Sequence, residues 1–324
     1  MKDKIIGIDL GGTSAKMAII SLTGEVLEKW SVSTNILEEG THIVPNLIES
    51  LKERIELYKM KETDFLGIGM GSPGKVDADA KTVIGAYNLN WSTLQEIGKA
   101  FGEKFDIPFF IENDANIAAL GEQWRGAGEG ALDCITVTLG TGVGGGVVVN
   151  GQLVRGVNGA AGEIGHLTID TEGHFDCTCG KKGCLETVAS ATGIMHLARK
   201  FAQEYVGDSE VKAQLDDGAD VNSKDIFDAA KEGDYFALQV VDRFAHYLGL
   251  ACSHLANTLN PSKIVLAGGV ALAGDFLLNK VNEQFMGYCF PQIRNNETLV
   301  LAKLGNDAGI MGAAQLVKLQ SVEG

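Results

Sequence analysis

Apolar and polar positions along the chain predict the same arrangement of strands twice. The segment "KIIGIDLGGTSAKMAIISLTGEVLEKWSVS" predicts a strand, a glycine turn, a second strand, a short turn and a third strand. The segment "CITVTLGTGVGGGVVVNGQLV" again predicts a strand, a glycine turn and a strand. Two glycine-rich hairpins, at residues 5–20 and 134–149, therefore indicate a weak internal duplication.

Helices are predicted where apolar residues recur at helical spacing. They fall at residues 41–60, 92–105, 114–126, about 186–206 and 235–259, and in the closing segment "DAGIMGAAQLVKL". Further strands are predicted in "FLGIGMGSPG", "IPFFIEN" and "KIVLAGGV". The polar stretch at 207–225 is predicted to be a surface insertion.

The alternation of strands and helices predicts an α/β protein of two domains, with ligands bound in the cleft between them. We predict a small N-terminal α/β domain over residues 1–114 and a larger C-terminal α/β domain over residues 115–305. The closing helix, at about 306–320, is predicted to pack back on the first domain.

Composition narrows the class of protein. No stretch reaches the roughly 18 to 20 apolar residues of a membrane span, and "MKDKIIGIDLGG" does not match a signal peptide. The net charge of −15 argues against partners such as nucleic acid or an anionic membrane. Six cysteines are too few for a disulfide scaffold in a chain of 324 residues, so we expect a cytoplasmic protein with reduced thiols.

Glycine is abundant, at 42 residues, and several glycines form tight clusters. The segment "GTGVGGG" at 140–146 contains the G-x-G-x-x-G spacing of dinucleotide-binding folds, but a predicted strand follows it instead of a helix. We therefore reject a Rossmann site, and the sequence contains no Walker A motif. The two glycine turns are either ordinary hairpin turns or anion nests whose backbone N–H groups hold phosphate.

The first glycine turn carries side chains that favour the phosphate interpretation. Asp9 ends the preceding strand and is a candidate ligand for Mg²⁺, usually through water. Thr13 and Lys16 are candidates to approach the phosphates. Lys16 is explained equally well as a solvated strand residue.

In "FIENDANIAA", Asp114 stands where a strand turns into a helix. It is either the N-cap of that helix or a base at the carboxyl end of a strand, where phosphoryl transfer needs a group that accepts the proton of the attacking hydroxyl. The positive end of the helix favours the ionised carboxylate. Asn113 beside it can donate and accept hydrogen bonds, as sugar hydroxyls require.

Cys177, Cys179 and Cys184 lie within eight positions in "CTCGKKGCLET". A structural zinc site needs four nitrogen or sulfur ligands, so a fourth must come from elsewhere, and spacing alone leaves both His166 and His174 open. A redox thiol pair or an unliganded loop is the alternative. Three other cysteines are predicted to lie in the core: Cys134, Cys252 and Cys289.

Taken together, these motifs resemble those of the ROK group (repressor, open reading frame, kinase) of sugar kinases, over essentially the whole chain. "GIDLGGTSAK" and "LGTGVGGG" are similar to the family's two phosphate loops, "GSPG" to its sugar-side loop and "ENDAN" to its catalytic segment. "GAAGEIGH" and "CTCGKKGCLE" are similar to its signature, and "VLAGGV" to its nucleotide-side loop. The resemblance implies the two-domain actin- and hexokinase-like (ribonuclease H-like) ATPase fold.

By position, the resemblance implies that Asp114 is the catalytic base for a sugar 6-hydroxyl. It assigns the sugar to Gly71, Asn88, Asn113, Asp114, Glu163, His166 and Glu186. It assigns ATP and Mg²⁺ to Asp9, Gly11, Gly12, Thr13, Lys16, Gly140, Thr141, Gly142, Gly268 and Gly269. It selects His166 as the fourth zinc ligand and leaves His174 as a solvated loop residue. Near Asn88 the family commonly has a proline–glycine pair where this chain has only Asn90.

The resemblance is greatest to bacterial glucokinases and implies transfer of a phosphoryl group from ATP to glucose, giving glucose 6-phosphate and ADP. Kinases for N-acetylmannosamine, N-acetylglucosamine or fructose share nearly the same residues and remain alternatives. A sugar-responsive repressor is a remote alternative, because Asp9 leaves no room ahead of it for a helix-turn-helix domain. The resemblance also implies a homodimer. A closed Cys₃His shell leaves no open coordination position, so we expect zinc to have a structural role only.

Overall fold

The computed structural model describes residues 2–295 and 297–322, and the chain divides into two compact units. Unit 1 comprises Met1–Gly130, Gly151–Ala161 and Leu304–Gly324, and unit 2 comprises Ala131–Asn150 and Gly162–Lys303. Across the described ranges, no helix combines the length and the apolar character needed to cross a membrane.

Twelve strands and ten α-helices are assigned in the described residues. The strands are β1 (Lys4–Leu10), β2 (Ser14–Ser21), β3 (Val26–Ser33), β4 (Phe65–Ser72), β5 (Lys75–Asp77), β6 (Thr82–Ile84), β7 (Phe109–Asn113), β8 (Cys134–Leu139), β9 (Val143–Val149), β10 (Gln152–Leu153), β11 (Lys263–Ala267) and β12 (Leu299–Leu301). The helices are α1 (Ile43–Leu57), α2 (Ile97–Gly102), α3 (Asp114–Arg125), α4 (Glu186–Ala189), α5 (Ala191–Ala202), α6 (Glu210–Asp216), α7 (Ser223–Lys231), α8 (Tyr235–Leu259), α9 (Asp275–Tyr288) and α10 (Ala308–Val322).

Unit 1 is built on a sheet with the strand order β3-β2-β1-β4-β7. β1 pairs antiparallel with β2 across the first glycine turn, while β1, β4 and β7 run parallel. The connections between the parallel strands contain α1 and α2, as parallel pairing requires a long crossover. The carboxyl ends of three strands therefore lie at one edge of the sheet, where open α/β sheets bind ligands.

Unit 2 repeats this arrangement. Its strands follow the order β9-β8-β11-β12, which corresponds to β2-β1-β4-β7 in unit 1. β8 pairs antiparallel with β9 across the second glycine turn and parallel with β11, which in turn runs parallel to β12. The two hairpins found in the sequence thus begin the same topology in each unit.

The apolar pattern explains which faces are buried. Strand β1 is apolar at nearly every position because both faces of a mostly parallel sheet are covered, and its isoleucines are fully buried. In α1, Leu47, Leu51 and Ile55 recur every four residues and form the face that packs on the core.

The C-terminal helix α10 packs on β1, β4 and α3 within unit 1. Glycines allow this close approach: a Cβ on Gly312 would overlap the carbonyl oxygen of Ile117, and a Cβ on Gly69 would overlap that of Ala313. The run of small residues in α10 therefore determines how closely the helices and the sheet pack.

The structure differs from several sequence-based boundaries. Helix α3, assigned above to the C-terminal domain, belongs to unit 1 because it packs on α10, β4 and β7. The helix predicted at 92–105 is restricted to α2, because Gln95 pairs with Val83 in an isolated β-bridge. The helix predicted at about 186–206 breaks at Ser190, whose Oγ caps α5 by accepting the N–H of Gly193 at 2.9 Å. The predicted insertion at 207–225 forms α6 and the start of α7.

Candidate active site

Predicted site residues from three strands meet at one edge of the unit 1 sheet. In the sheet register, Asp9 of β1 pairs with Gly71 of β4, and Gly71 pairs with Glu112 of β7. Asn113 ends β7, and Asp114 is the first residue of α3. The carboxyl ends of parallel strands thus bring together Asp9, Asn113 and Asp114, which are far apart in the sequence.

The start of α3 has Asn113, not Asp114, at the N-cap position. Asn113 Oδ1 accepts a hydrogen bond from the N–H of Ala115 at 3.0 Å, and Asn113 Nδ2 donates to the carbonyl oxygen of Gly74 at 3.4 Å. Asp114 Oδ1 accepts from the same N–H of Ala115 at 2.8 Å. Since Asn113 fills the capping position, the N-cap interpretation of Asp114 is wrong.

The carboxyl groups of Asp114 and Asp9 share a poorly solvated environment. Asp114 remains accessible at its surface, yet the surrounding protein excludes enough water that burial raises its pKa above the ordinary 3.8. The N–H of Ala115 lowers this pKa and the charge of Asp9 raises it. Burial also raises the pKa of Asp9, against the opposing charge of Lys16. The helix end thus favours the ionised Asp114 as expected, but desolvation outweighs it.

Asp9 is enclosed by two other residues of unit 1. Lys16 Nζ lies 3.7 Å from Asp9 Oδ2 and donates to the carbonyl oxygen of Asn306 at 3.1 Å. A Cβ on Gly309 would overlap the Asp9 carboxyl group, so the first turn of α10 packs directly on it. Lys16 is therefore not a freely solvated strand residue, because its charge is held beside the predicted Mg²⁺ ligand.

The first glycine turn lies between β1 and β2 and is closed by its own backbone. The N–H of Gly11 donates to the carbonyl oxygen of Ser14 at 3.1 Å, and Thr13 is exposed. A Cβ on Gly12 would lie 3.4 Å from Asn88 Nδ2. Asn88, assigned to the sugar by resemblance, is therefore next to the loop assigned to phosphate.

The second glycine turn lies beside the loop that follows β11. The N–H of Gly140 donates to the carbonyl oxygen of Gly142 at 3.0 Å, and Thr141 is exposed. Gly268 has a φ of +89°, and a Cβ there would lie 2.5 Å from the carbonyl oxygen of Leu139. Only glycine accommodates both this conformation and this approach, which places the two loops side by side.

A cavity of about 160 Å³ opens beside Gly269 in unit 2. Its lining includes the ring of Phe227, the side chain of Lys231 and the exposed Leu272. A larger groove of about 710 Å³ lies between α5 and α8, but its lining contains none of the predicted site residues. The smaller cavity is thus lined in part by the loop that follows β11.

The predicted sugar-binding residues of unit 2 lie around one imidazole ring. His166 Nε2 is 3.8 Å from Glu163 Oε2, and His166 Nδ1 is 3.7 Å from Glu186 Oε1. The thiol of Cys177 donates to Glu186 Oε1 at 2.9 Å. A Cβ on Gly142 would lie 2.7 Å from Glu186 Oε2. The Glu186 carboxyl group thus borders both the cysteine cluster and the second glycine turn.

The ligand atoms of His166, Cys177, Cys179 and Cys184 all lie within 4.8 Å of one another. The sulfur atoms of Cys179 and Cys184 are 3.7 Å apart, and Cys177 Sγ is 3.6 Å from His166 Nδ1. Tetrahedral zinc, with bonds of about 2.3 Å to sulfur and 2.0 Å to nitrogen, separates neighbouring ligand atoms by about 3.5 to 3.8 Å. This donor set fits zinc, with Nδ1 of His166 facing the metal position.

The thiols of the cluster differ in acidity. Burial and the hydrogen bond to Glu186 raise the pKa of Cys177 to about 12. The backbone N–H of Lys181 lowers the pKa of Cys179. Zinc ligation requires thiolates, so metal binding here releases protons and strengthens as pH rises.

His174 does not behave as the solvated loop residue that was expected. Its Nδ1 is 2.9 Å from Asp170 Oδ1 and its Nε2 is 2.9 Å from Glu172 Oε2. Its backbone N–H also donates to Asp170 Oδ2 at 2.9 Å. The imidazole therefore fixes the segment that leads into the cysteine cluster, instead of joining it.

Sequence reasoning did not single out the pair of Glu112 and Arg155. Glu112 is only 5% exposed, and its Oε2 lies 2.6 Å from Arg155 Nε. An acidic residue at the end of an apolar strand is a usable signal, because a buried carboxylate requires a charged or hydrogen-bonding partner. That partner, Arg155, lies more than 40 residues away, so the sequence around Glu112 does not identify it.

The predicted site residues divide between the two units. Unit 1 contains Asp9, Gly11, Gly12, Thr13, Lys16, Gly71, Asn88, Asn113 and Asp114. Unit 2 contains Gly140, Thr141, Gly142, Glu163, His166, Cys177, Cys179, Cys184, Glu186, Gly268 and Gly269.

Two repeated α/β sheets, each opening with a glycine-turn hairpin, define an actin-like ATPase fold. The ROK family profile matches residues 5–320, and the chain belongs to the ROK family. The predicted family and fold class are thus confirmed.

Three relatives within this family are similar to the chain over nearly their whole length. A glucokinase of Halalkalibacterium halodurans is 45% identical over 97% of this chain and 95% of its own. The crystal structure of a ROK hexokinase from Thermus thermophilus superposes with a TM-score of 0.84 at 31% identity, covering 99% of this chain and 100% of that one. A Streptomyces griseus ROK glucokinase in complex with glucose and AMPPNP gives a TM-score of 0.75 at 31% identity, covering 98% and 99%.

Proposed function

We propose that the protein is a glucokinase, which transfers the γ-phosphoryl group of ATP to the 6-hydroxyl of glucose. The observation that carries this proposal is the Asp114 carboxyl group, which opens α3 at the carboxyl end of β7 with its pKa raised. A base of this kind accepts the hydroxyl proton as the oxygen attacks phosphorus. The glucokinases similar to this chain support glucose as the substrate and ATP as the donor.

The nucleotide is assigned to the glycine turns and to the loop after β11. Backbone N–H groups of the two glycine turns hold the phosphates, other than those of Gly11 and Gly140, which close the turns themselves, and the cavity beside Gly269 accepts the base. Asp9 would hold Mg²⁺, and Lys16 places a positive charge beside the Asp9 carboxylate. Bound Mg²⁺ supplies charge neutralisation for the transferring phosphoryl group.

We assign the sugar to the same residues as above: Gly71, Asn88, Asn113, Asp114, Glu163, His166 and Glu186. His166 presents Nδ1 to the cysteine cluster and keeps Nε2 for Glu163 and a hydroxyl. Zinc held by His166 and the three cysteines supplies structural rigidity, because a closed four-ligand shell has no open position. Zinc bound there would hold the imidazole of His166 in place for the sugar, and Glu186 follows the ligand Cys184 by two positions.

A homodimeric, cytoplasmic enzyme completes the proposal, as the family resemblance implies. Size-exclusion chromatography with light scattering measures the subunit number, with twice the 34.3 kDa chain mass expected. A mass of one chain would contradict the dimer without affecting the proposed reaction.

A coupled assay for ADP release tests the substrate. The panel is glucose, mannose, fructose, N-acetylglucosamine and N-acetylmannosamine, each with ATP and Mg²⁺, and glucose is expected to give the highest kcat/KM. A higher value for an N-acetylated sugar or for fructose would move the protein to the alternative kinases. No ADP release with any sugar would contradict the kinase itself.

Replacement of the base tests the mechanism. Asp114→Asn is expected to lower kcat by about 10² to 10⁴-fold while glucose binding and the melting temperature stay near wild type, because only proton acceptance is lost. Asp79→Asn, at an exposed turn position, is the matched control and keeps full activity. A kcat of Asp114→Asn close to wild type would remove Asp114 as the base.

A further inference from the structure

A buried carboxylate lies directly before the proposed catalytic segment. Glu112 is the residue preceding Asn113 in β7, and its side chain is 6% exposed. Its neighbours satisfy both carboxylate oxygens. Loss of the Arg155 guanidinium would leave this buried carboxylate without an opposite charge, which is strongly destabilising.

The two oxygens of Glu112 have different partners. Oε1 accepts the backbone N–H of Asn113 at 2.9 Å and the side-chain amide of Asn116 at 3.1 Å. Oε2 accepts Nε of Arg155 at 2.6 Å. One carboxylate oxygen thus binds the junction of β7 and α3, while the other is held by a distant arginine.

Arg155 comes from a segment that returns to unit 1 between two parts of unit 2. The carbonyl oxygen of Arg155 accepts the N–H of Ala161 at 3.0 Å, which closes a loop containing Gly156 and Gly159, both with positive φ. The chain then continues directly to Glu163 and His166. Arg155 therefore begins the segment that carries part of the proposed sugar site.

We propose that Arg155 and Glu112 are positioning residues for the catalytic segment: the guanidinium holds the Glu112 carboxylate, which in turn fixes the amide of Asn113 and so the orientation of Asp114. Arg155 also precedes Glu163 and His166 in the chain, on the loop closed by the N–H of Ala161. This inference rests on the proposed kinase function and goes beyond it by assigning two residues that do not touch the substrate.

Three variants test the pair: Glu112→Gln, Arg155→Met and the double variant. Each is expected to lower kcat by about 10- to 100-fold, because small misplacement of a reacting group has large kinetic effects, while KM for ATP changes little. Arg155→Met also lowers the melting temperature, since it leaves a buried charge unpaired. The double variant removes that charge and regains stability, but its kcat stays low and the two losses are not additive.

Arg54→Met is the matched control, because Arg54 pairs with Glu28 at 3.4 Å elsewhere in unit 1. It is expected to keep the wild-type kcat. Recovery of kcat together with stability in the double variant would overturn positioning and leave a purely structural pair. Should Arg155→Met not fold, Glu112→Gln, which keeps shape and an acceptor, decides the outcome by the same kcat measurement.

Hydrogen–deuterium exchange separates this inference from the kinase proposal. Exchange in a peptide covering residues 110–117 is expected to accelerate in Arg155→Met and in the double variant, but not in Arg54→Met, because the Asn113 N–H loses its fixed acceptor. Unchanged exchange in both Arg155 variants would overturn the inference. An inactive wild-type protein would overturn only the proposed function, since the exchange experiment does not depend on activity.

Discussion

Asp114 lies beside Asn113, which occupies the N-cap position of α3. Asn113 Oδ1 accepts the N–H of Ala115, and Glu112 holds the N–H of Asn113, so three consecutive residues have separate tasks. The proximity of Asp9 then adds a second carboxyl group to the same poorly solvated region. The raised pKa of Asp114 therefore results from burial and from the nearby charge of Asp9.

The pH dependence of the reaction tests that environment. A base works only when ionised, so kcat/KM for glucose is expected to fall as pH decreases through the pKa of Asp114. Burial and Asp9 raise that pKa, so the acid limb should lie above the ordinary 3.8. Measuring kcat/KM across pH locates the acid limb, and circular dichroism checks that the protein stays folded. The residual activity of Asp114→Asn should lack this limb. An acid limb at or below 3.8 in folded protein would contradict the raised pKa.

At the scale of elements, the loop between His166 and Glu186 shows how a short segment without regular structure is fixed. Lys181 Nζ donates to the carbonyl oxygen of His166 at 2.7 Å, and the N–H of Cys177 donates to the carbonyl oxygen of Lys181 at 2.8 Å. Together with the contacts of His174 with Asp170 and Glu172, these bonds bring the four predicted zinc ligands close to one another.

Metal analysis tests this interpretation. We expect about one zinc per chain, as a single Cys₃His shell requires. Cys179→Ser should lower the zinc content and the melting temperature, because the metal crosslinks the loop. Cys289→Ala, which replaces a buried cysteine outside the cluster, should keep the zinc. A metal-free preparation with full activity and stability would contradict the zinc site.

At the scale of the whole molecule, unit 1 is assembled from separated parts of the chain. Residues 151–161 return to unit 1 after the short segment Ala131–Asn150, and α10 returns to it after the long segment Gly162–Lys303. Contacts of this kind have a high entropic cost of closure and need close packing in return. Glycines supply it where α10 meets α3 and the sheet.

Gly312→Ala tests the contribution of that packing. The added Cβ would overlap the carbonyl oxygen of Ile117, which cannot move without shifting α3, so we expect a loss of stability of about 1 to 3 kcal/mol or more. The matched control is Gly287→Ala in α9, where the Cβ meets open space and alanine favours the helix. Scanning calorimetry should give a lower melting temperature for Gly312→Ala only. Equal melting temperatures would contradict the close packing.

Sequence patterns predicted the strands and the long helices because hydrophobic periodicity is a local property. They failed at Gln95 and Ser190, where a β-bridge and a cap outweigh helical spacing. For the site, motifs identified Asp9, Asn113, Asp114 and the cysteine cluster, and the family match confirms the resemblance on which their roles rest. The contacts of His174 with Asp170 and Glu172 were not predicted, because spacing does not identify the partners of a histidine.

The sequence by itself determined the family, the doubled α/β topology and the residues that carry the candidate chemistry, since glycine turns, strand ends and cysteine spacing are readable along the chain. Only the tertiary structure decided which neighbours tune those residues. Three features depend on segments that are far apart in the sequence. They are the desolvation of Asp114, the contact of Glu186 with the second glycine turn and the pairing of Glu112 with Arg155. Burial and charge depend on distances in space, which local patterns do not encode.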